Sequence, residues 1–160
     1  MATAEPVLLD TDTLSELSRG NVHVNAHART YLAAFGALTV SAVTVFERLR
    51  GYRLAIRQGK PFHRQLQAFE ALVGTCVVLP FDADAADVAG SIWSACTRAQ
   101  RQDIGDILIA STAVARQIPL ITRNGRDFEA FIRSAGLSLR LMDWSKPSRA
   151  PRKTPRRRGA

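Results

Sequence analysis

The chain has 160 residues with 46% hydrophobic and 22% charged content, the balance of one globular domain that buries about 70% of its unfolded surface. No apolar run approaches the roughly 20 residues of a membrane span, and Met1-Ala2-Thr3-Ala4-Glu5-Pro6 has neither the basic start nor the apolar core of a secretory signal, so cytoplasmic residence is expected. The formal net charge of +8 is local: 146–160 contributes +7 and leaves about +1 for the body.

In chain order, Val7 to Leu9 is a short apolar run of strand type, and Thr11 to Ser18 is a short helix stopped at Gly20. Val24 to Phe35 has helical character and ends at Gly36. Leu38 to Ser41 is β-branched and strand-like, and Val43 to Gln58 follows as a helix closed by Gly59 and Pro61. Phe62 to Val73 is a helix closed by Gly74, and Cys76 to Leu79 a buried strand stopped by Pro80. Asp84 to Arg101 reads as one long helix and Gly105 to Gln117 as another. Pro119 to Thr122 is a strand, Arg126 to Ala135 a short helix, and Leu137 to Met142 the last strand. Lys146, Arg149, Arg152, Lys153, Arg156, Arg157 and Arg158 then alternate with Pro147, Pro151 and Pro155. The prolines exclude a continuous helix or a central strand. The expected organisation is a domain over 1–145 and a disordered basic arm over 146–160, which would attract polyanions with little sequence preference.

Short apolar strands alternating with helices imply an α/β fold, a central and mostly parallel sheet of about five strands covered by helices on both faces. Ligands in such sheets bind beyond the carboxyl ends of the strands. Asp10 lies at one such end, Ser41 at another with Glu47 in the following helix, and Thr122 and Asn124 at a third. Asp106 opens a helix that faces the same edge.

These acids border strongly apolar segments, where an unpaired charge is costly. Two carboxylates about 4 Å apart repel by roughly 4 kcal/mol at an effective dielectric of 20, and a divalent cation would offset that cost. Each acid also has a local alternative. Asp10 or Asp12 can cap the helix that follows, Asp103 with Asp106 resembles a capping box, Glu47 can pair with Arg50, and Asp127 can cap the helix near Phe128. Those alternatives do not account for the joint placement at one edge. Cys76 and Cys96 lack metal-ligand spacing and read as structural, and His23, His27 and His63 read as surface residues.

Leu8-Leu9-Asp10-Thr11-Asp12, Ser41 to Gly51 around Glu47, Asp106-Ile107-Leu108-Ile109-Ala110-Ser111 and Thr122-Arg123-Asn124-Gly125-Arg126-Asp127-Phe128 resemble, in this order, the motifs of PIN-domain ribonucleases. They are most similar to the VapC toxin type of bacterial toxin–antitoxin modules. The resemblance runs from about Val7 to Trp144. It implies a three-layer PIN-like fold and hydrolysis of single-stranded RNA dependent on Mg²⁺ or Mn²⁺, with an antitoxin protein as partner and a homodimer as assembly. Asp10, Glu47 and Asp106 fall on the family's three acids. Asp10 and Asp106 are implied as metal ligands, and Glu47 as the residue that holds water beside the ion or orients the nucleophile. The fourth position is Asn124 where some members have aspartate. It offers an oxygen but no charge, which weakens the case for a second ion. Asp127, the nearest acid, is placed to act through water, and Asp12 stands where asparagine is usual.

Arg50, Arg123 and Arg126 are candidates for the RNA backbone; Arg53 and Arg57 share the Arg50 helix face, where a solvated face explains them equally well. Thr11, Ser41 and Thr122 offer hydroxyls at the same edge. Trp93, Trp144 and Tyr52 can stack on bases, although core packing is the expectation for the tryptophans. Two other functions compete. Asp10-Thr11-Asp12 also resembles the first motif of haloacid-dehalogenase-type phosphatases, but the later lysine and acidic motif of that family are missing. A binding module that kept the fold without turnover is the non-enzymatic alternative, favoured by Asn124.

Overall fold

A computed structural model describes residues 5–147. From residue 148 on, the basic arm expected over 146–160 lies outside the described residues. The elements are β1 (Leu8–Leu9), α1 (Thr11–Ser18), α2 (Val22–Phe35), β2 (Thr39–Ser41), α3 (Ala42–Arg57), α4 (His63–Val73) and β3 (Val77–Leu79). They continue with α5 (Ala83–Ala95), a 3₁₀ turn (Gln100–Gln102), α6 (Ile104–Arg116), β4 (Leu120–Ile121), α7 (Gly125–Ser134) and β5 (Leu141–Met142).

The five strands form one sheet in the order β3-β2-β1-β4-β5, and every neighbouring pair is parallel. Leu9 stands opposite Val40 on one side and Ile121 on the other. Alternate strand residues feed opposite faces. Leu8 and Leu120 enter a core with Ile92, Ile107, Ala110, Phe128 and Phe131 from α5, α6 and α7. Leu9, Val40 and Ile121 enter a second core with Leu14, Val24, Tyr31 and Phe69 from α1, α2 and α4. Fully burying one such side chain contributes about 1.5–3 kcal/mol. The result is the expected three-layer α/β architecture. From β1 the chain first builds outward to β2 and β3, then crosses to β4 and β5 on the other side. The switch therefore falls between β1 and β4, the position at which open sheets of this kind bind ligands beyond the strand ends.

Three local expectations change. The strand near Cys76 is not buried: β3 is an edge strand, with Val77 49% exposed. The long helix expected from Asp84 to Arg101 stops at Ala95. Cys96 turns extended (φ −75°, ψ 148°), and Thr97 and Gln100 exchange bonds, Thr97 N–H donating to Gln100 Oε1 at 2.8 Å and Gln100 N–H to Thr97 Oγ1 at 3.2 Å. That reciprocal pattern has the form of a capping box and closes the turn that leads into the 3₁₀ segment. The last strand is confined to Leu141–Met142, because Gly136 (φ +67°) and Leu137 close α7, the latter donating its N–H to Ile132 O at 3.1 Å. Among the described residues no helix is long and apolar enough to cross a membrane.

Candidate functional site

β1 hands the chain to α1 through Asp10, whose extended backbone (φ −73°, ψ 161°) makes it the N-cap. Its side chain is buried, with 3% of the residue exposed. Oδ1 accepts the Thr11 N–H at 2.6 Å and Oδ2 accepts the Thr122 hydroxyl at 2.9 Å. Thr122 directly follows β4, so the two strands at the switch supply an acid and its donor. Burial, followed by the charges of Asp12 and Asp106, pushes the Asp10 carboxyl up to about 8 against the opposing effect of those two donors.

Glu47 lies in α3, which starts at the Ser41 cap; Ser41 Oγ accepts the Thr44 N–H at 3.0 Å. Glu47 Oε2 accepts the Thr11 hydroxyl at 2.7 Å. One residue thus grips two acids, Asp10 by its amide and Glu47 by its side chain. Thr44 Oγ1 lies 3.2 Å from the Thr11 hydroxyl and accepts from Ser41 Oγ at 3.1 Å, linking the α3 cap to the cluster. On its other side the Glu47 carboxylate rests on Gly105. A Cβ there would lie 2.0 Å from Oε1, so only glycine admits this approach. The first turn of α6 is pinned to Glu47, and Asp106 comes next.

Asp106 is partly buried and its carboxyl is pushed up to about 6, by burial first and then by the charges of Glu47, Asp103, Asp12 and Asp127. The capping-box alternative fails, since Asp103 occupies the N-cap of α6 with no side-chain cap bond. The Glu47–Arg50 alternative fails too: Arg50 lies over the Phe46 ring, 5.4 Å from its centroid. Only for Asp10 does capping hold, and there it coexists with the cluster.

Asn124 is exposed at the N-cap of α7, without a side-chain cap bond. Its N–H donates to Thr122 Oγ1 at 3.0 Å, so Thr122 relays the position of this loop to Asp10. Asp127 is exposed in the first turn of α7, not at its cap. Asp12 holds the same loop, Oδ2 accepting the Arg123 N–H at 3.2 Å. The Arg123 guanidinium is paired with Glu16 at 2.8 Å. Exposed Arg126 lines, with Thr122, Asn124 and Lys146, a surface cavity of about 320 Å³.

Sequence reasoning singles out the acids and the hydroxyls of Thr11, Ser41 and Thr122, but not Gly105 or Thr44. The signal for Gly105 is a glycine in the first helical turn, immediately before an acid, where alanine would favour the helix. The tryptophans divide: Trp144 is buried as expected, whereas Trp93 is 45% exposed.

The cluster is an all-oxygen, anionic set at the end of a parallel sheet, with two carboxyls driven toward protonation. Such a set can bind a hard cation or hold a proton. Among the described residues no three Asp, Glu, His or Cys side chains stand close enough to form a ready-made cage. The acids are coupled by charge and by shared neighbours instead. An α/β domain with an acidic cluster at its switch point is the class these features define.

The PIN domain family model matches residues 7–133, and the chain belongs to that family. Among solved structures, VapBC-1 from nontypeable Haemophilus influenzae is similar at 24% identity, covering 89% of this chain and 100% of that one with a TM-score of 0.68. DNA-bound VapBC from Salmonella typhimurium is similar at 22% identity, covering 88% and 99% with a TM-score of 0.67. VapBC2 from Rickettsia felis, bound to a promoter DNA fragment, is similar at 19% identity, covering 88% and 99% with a TM-score of 0.65. At these identities the likeness is one of fold. A search of curated proteins found no match.

Proposed function

We propose that the chain is a metal-dependent endoribonuclease acting in the cytoplasm as a toxin restrained by an antitoxin protein. The observation that carries the reading is the convergence of Asp10, Glu47 and Asp106 on one sheet edge, tied together by Thr11 and Gly105. The donor set fits Mg²⁺ or Mn²⁺ in kind, because both prefer oxygen ligands and accept water for the rest. Asp10 and Asp106 would hold the ion, whose charge offsets the burial and repulsion that raise both carboxyls. A bound ion supplies Lewis acidity toward a phosphodiester and makes water a stronger nucleophile.

The chain's own residues do the rest. Thr122 and the Thr11 amide fix the Asp10 carboxylate, and the Thr11 hydroxyl aims Glu47 to orient the attacking water. Asn124 offers a neutral oxygen and Asp127 an added negative field at the same edge. Arg126, Arg123 and Arg50 are the candidates for the RNA backbone, with Arg126 the freest of the three: Arg123 answers Glu16 and Arg50 covers Phe46.

The toxin role and the antitoxin are supported by the fold shared with VapBC complexes, and a homodimer is part of the same proposal. The outer face of α3, with Phe46 and Leu54 exposed beside Arg50 and Arg53, offers apolar and basic surface for such partners. The domain is assigned to 1–145 and the basic arm to 146–160, the arm adding affinity for RNA without taking part in chemistry.

The test is cleavage of purified total RNA with Mg²⁺ or Mn²⁺ by the parent, Asp10→Asn and Asp106→Asn. Each substitution is expected to lower the rate about a hundredfold or more. Equal cleavage by all three would sink the assignment. The binding-module reading is favoured by the neutral Asn124 at the fourth position, and calorimetry with Mn²⁺ separates it: no heat at millimolar metal would put it ahead. Family membership leaves the phosphatase reading without support, and Asp12 is occupied in holding the Arg123 amide.

A further inference from the structure

Trp93 is held out of the core although tryptophan is among the largest apolar side chains and gains most from burial. Arg101 lies over it, its guanidinium carbon 4.0 Å from the ring centroid. The Arg101 Nε–H donates to the carbonyl of Trp93 itself at 3.1 Å, which holds the half-buried guanidinium in its stack. Neither Arg101 nor the exposed Arg98 makes an ion pair among the described residues. The break in the helix at Cys96 and the Thr97–Gln100 capping box are what fold Arg101 back onto Trp93.

The position of the pair matters. α5 and α6 pack together and are joined by this short turn, so the end of α5 that carries Trp93 meets the start of α6 that carries Asp106. Asp103, two residues after Arg101, is near enough to act on Asp106 by its charge. The stack therefore stands beside the first turn of α6, the end of that helix that carries Asp106.

We propose that Trp93 and Arg101 form a base-stacking subsite for single-stranded RNA, the indole taking a base and the guanidinium the adjoining phosphate. This rests on the ribonuclease reading of the acidic edge. An aromatic face combined with a cation is the chemistry by which single strands are held without sequence preference. A protein partner fits less well. A stable interface needs about 800 Å² per partner with an apolar centre, and around Trp93 the exposed neighbours on α5 are Gly90, Ser91, Ser94 and Ala95. A lone aromatic among small and polar residues suits one base.

The chain has two tryptophans, and only Trp93 is open to solvent, which makes fluorescence a direct readout. The parent is titrated with a short oligoadenylate in EDTA, so that binding is seen without cleavage. The red-shifted part of the emission is expected to quench. Trp93→Ala is expected to weaken binding about tenfold and raise KM for cleavage with kcat largely kept, while Trp93→Phe retains most of the affinity without the quench. Arg101→Ala is expected to weaken binding and reduce the salt slope by about one phosphate. A parent that binds and cleaves RNA while Trp93→Ala does both equally well would overturn the subsite and leave the nuclease reading intact. A change in oligomeric state with Trp93→Ala would overturn it in favour of an interface between copies. A parent that neither binds nor cleaves RNA ends both readings.

Discussion

The Glu47 carboxylate and Gly105 are in direct contact: a methyl group at position 105 would lie 2.0 Å from Oε1. Helix α3 and helix α6 thereby approach closely where Glu47 meets the first turn that carries Asp106. The relationship joins an acid legible in the sequence to a glycine that is not. Gly105→Ala separates the two roles of this contact. The clashing atom is the end of a flexible side chain, and alanine gains helix propensity worth up to about 1 kcal/mol, so the melting temperature should change little. Displacement of Glu47 by about 1 Å or more should nonetheless cost on the order of a hundredfold in RNA cleavage. Thermal melts and cleavage rates measured on the same preparation check this; a stable and fully active variant would deny Glu47 its role.

Proton linkage gives a second expectation. The Asp10 carboxyl sits at about 8 in the folded chain, against roughly 4 for an unfolded aspartate. Between those values the native state holds a proton that the unfolded chain does not, so folding takes up a proton and stability falls as the pH rises. Asp106, at about 6, adds to the fall over the lower part of the window. Without divalent ions the melting temperature should drop from pH 5 to pH 8. Asp10→Asn should flatten that slope and, at pH 8, be more stable than the parent by on the order of a few kcal/mol. An unchanged slope in the variant would show that Asp10 is not the group responsible.

Metal addition should reverse the trend. A cation bound by ionised Asp10 and Asp106 competes with protons, so Mn²⁺ should raise the melting temperature more at pH 8 than at pH 5. Asp106→Asn should lose most of the increment. Equal stabilisation at both pH values would point to nonspecific screening.

Thr11 is expected to act as a positioning residue. Its hydroxyl donates to Glu47 at 2.7 Å while its amide serves Asp10, and Thr11→Val removes the hydroxyl with its bond to Glu47 and its contact with Thr44 but keeps the amide. Loss of one charge-assisted hydrogen bond costs about 1.5–3 kcal/mol. It should appear as a lower kcat with RNA affinity kept, and Thr11→Ser should restore the rate. Failure of serine to rescue would assign the loss to packing.

The turn before α6 can be tested apart from the chemistry. Thr97→Ala removes the hydroxyl that accepts the Gln100 N–H and leaves the backbone bond from Thr97 N–H to Gln100 Oε1; it should cost about 1 kcal/mol in denaturant unfolding. A substitution without effect would mean that the turn is held by other contacts.

How far the residues alone reach follows from the range of the forces involved. Alternation of short apolar runs with helical segments is local, and it sufficed for a parallel sheet with two covered faces; β1, α1 and the end of α2 lie where Leu8-Leu9, Thr11 to Ser18 and Gly36 put them. The order of Asp10, Glu47 and Asp106 relative to strand ends was also legible, because a parallel sheet sends every strand end to one edge. The helix end at Ala95 was misjudged, since neither glycine nor proline marks it. Its signal was the Thr97-x-x-Gln100 spacing, worth about 1 kcal/mol and outweighed by the apolar pattern around it. The burial of Val77 was misjudged for another reason: β-branched runs look alike in central and edge strands, and position in the sheet is set by the crossovers.

What the amino-acid order determined by itself was therefore the architecture and the identity of the acids, both of which rest on periodicity and on charge placed beside apolar runs. What only the tertiary structure decided was the set of close approaches: Gly105 beneath Glu47, Thr11 shared between two carboxylates, Thr122 reaching Asp10 across 112 positions, and Trp93 left outside under Arg101. Contacts of this kind depend on how layers pack at ångström scale, and no local pattern encodes which side chain the far end of another helix will meet.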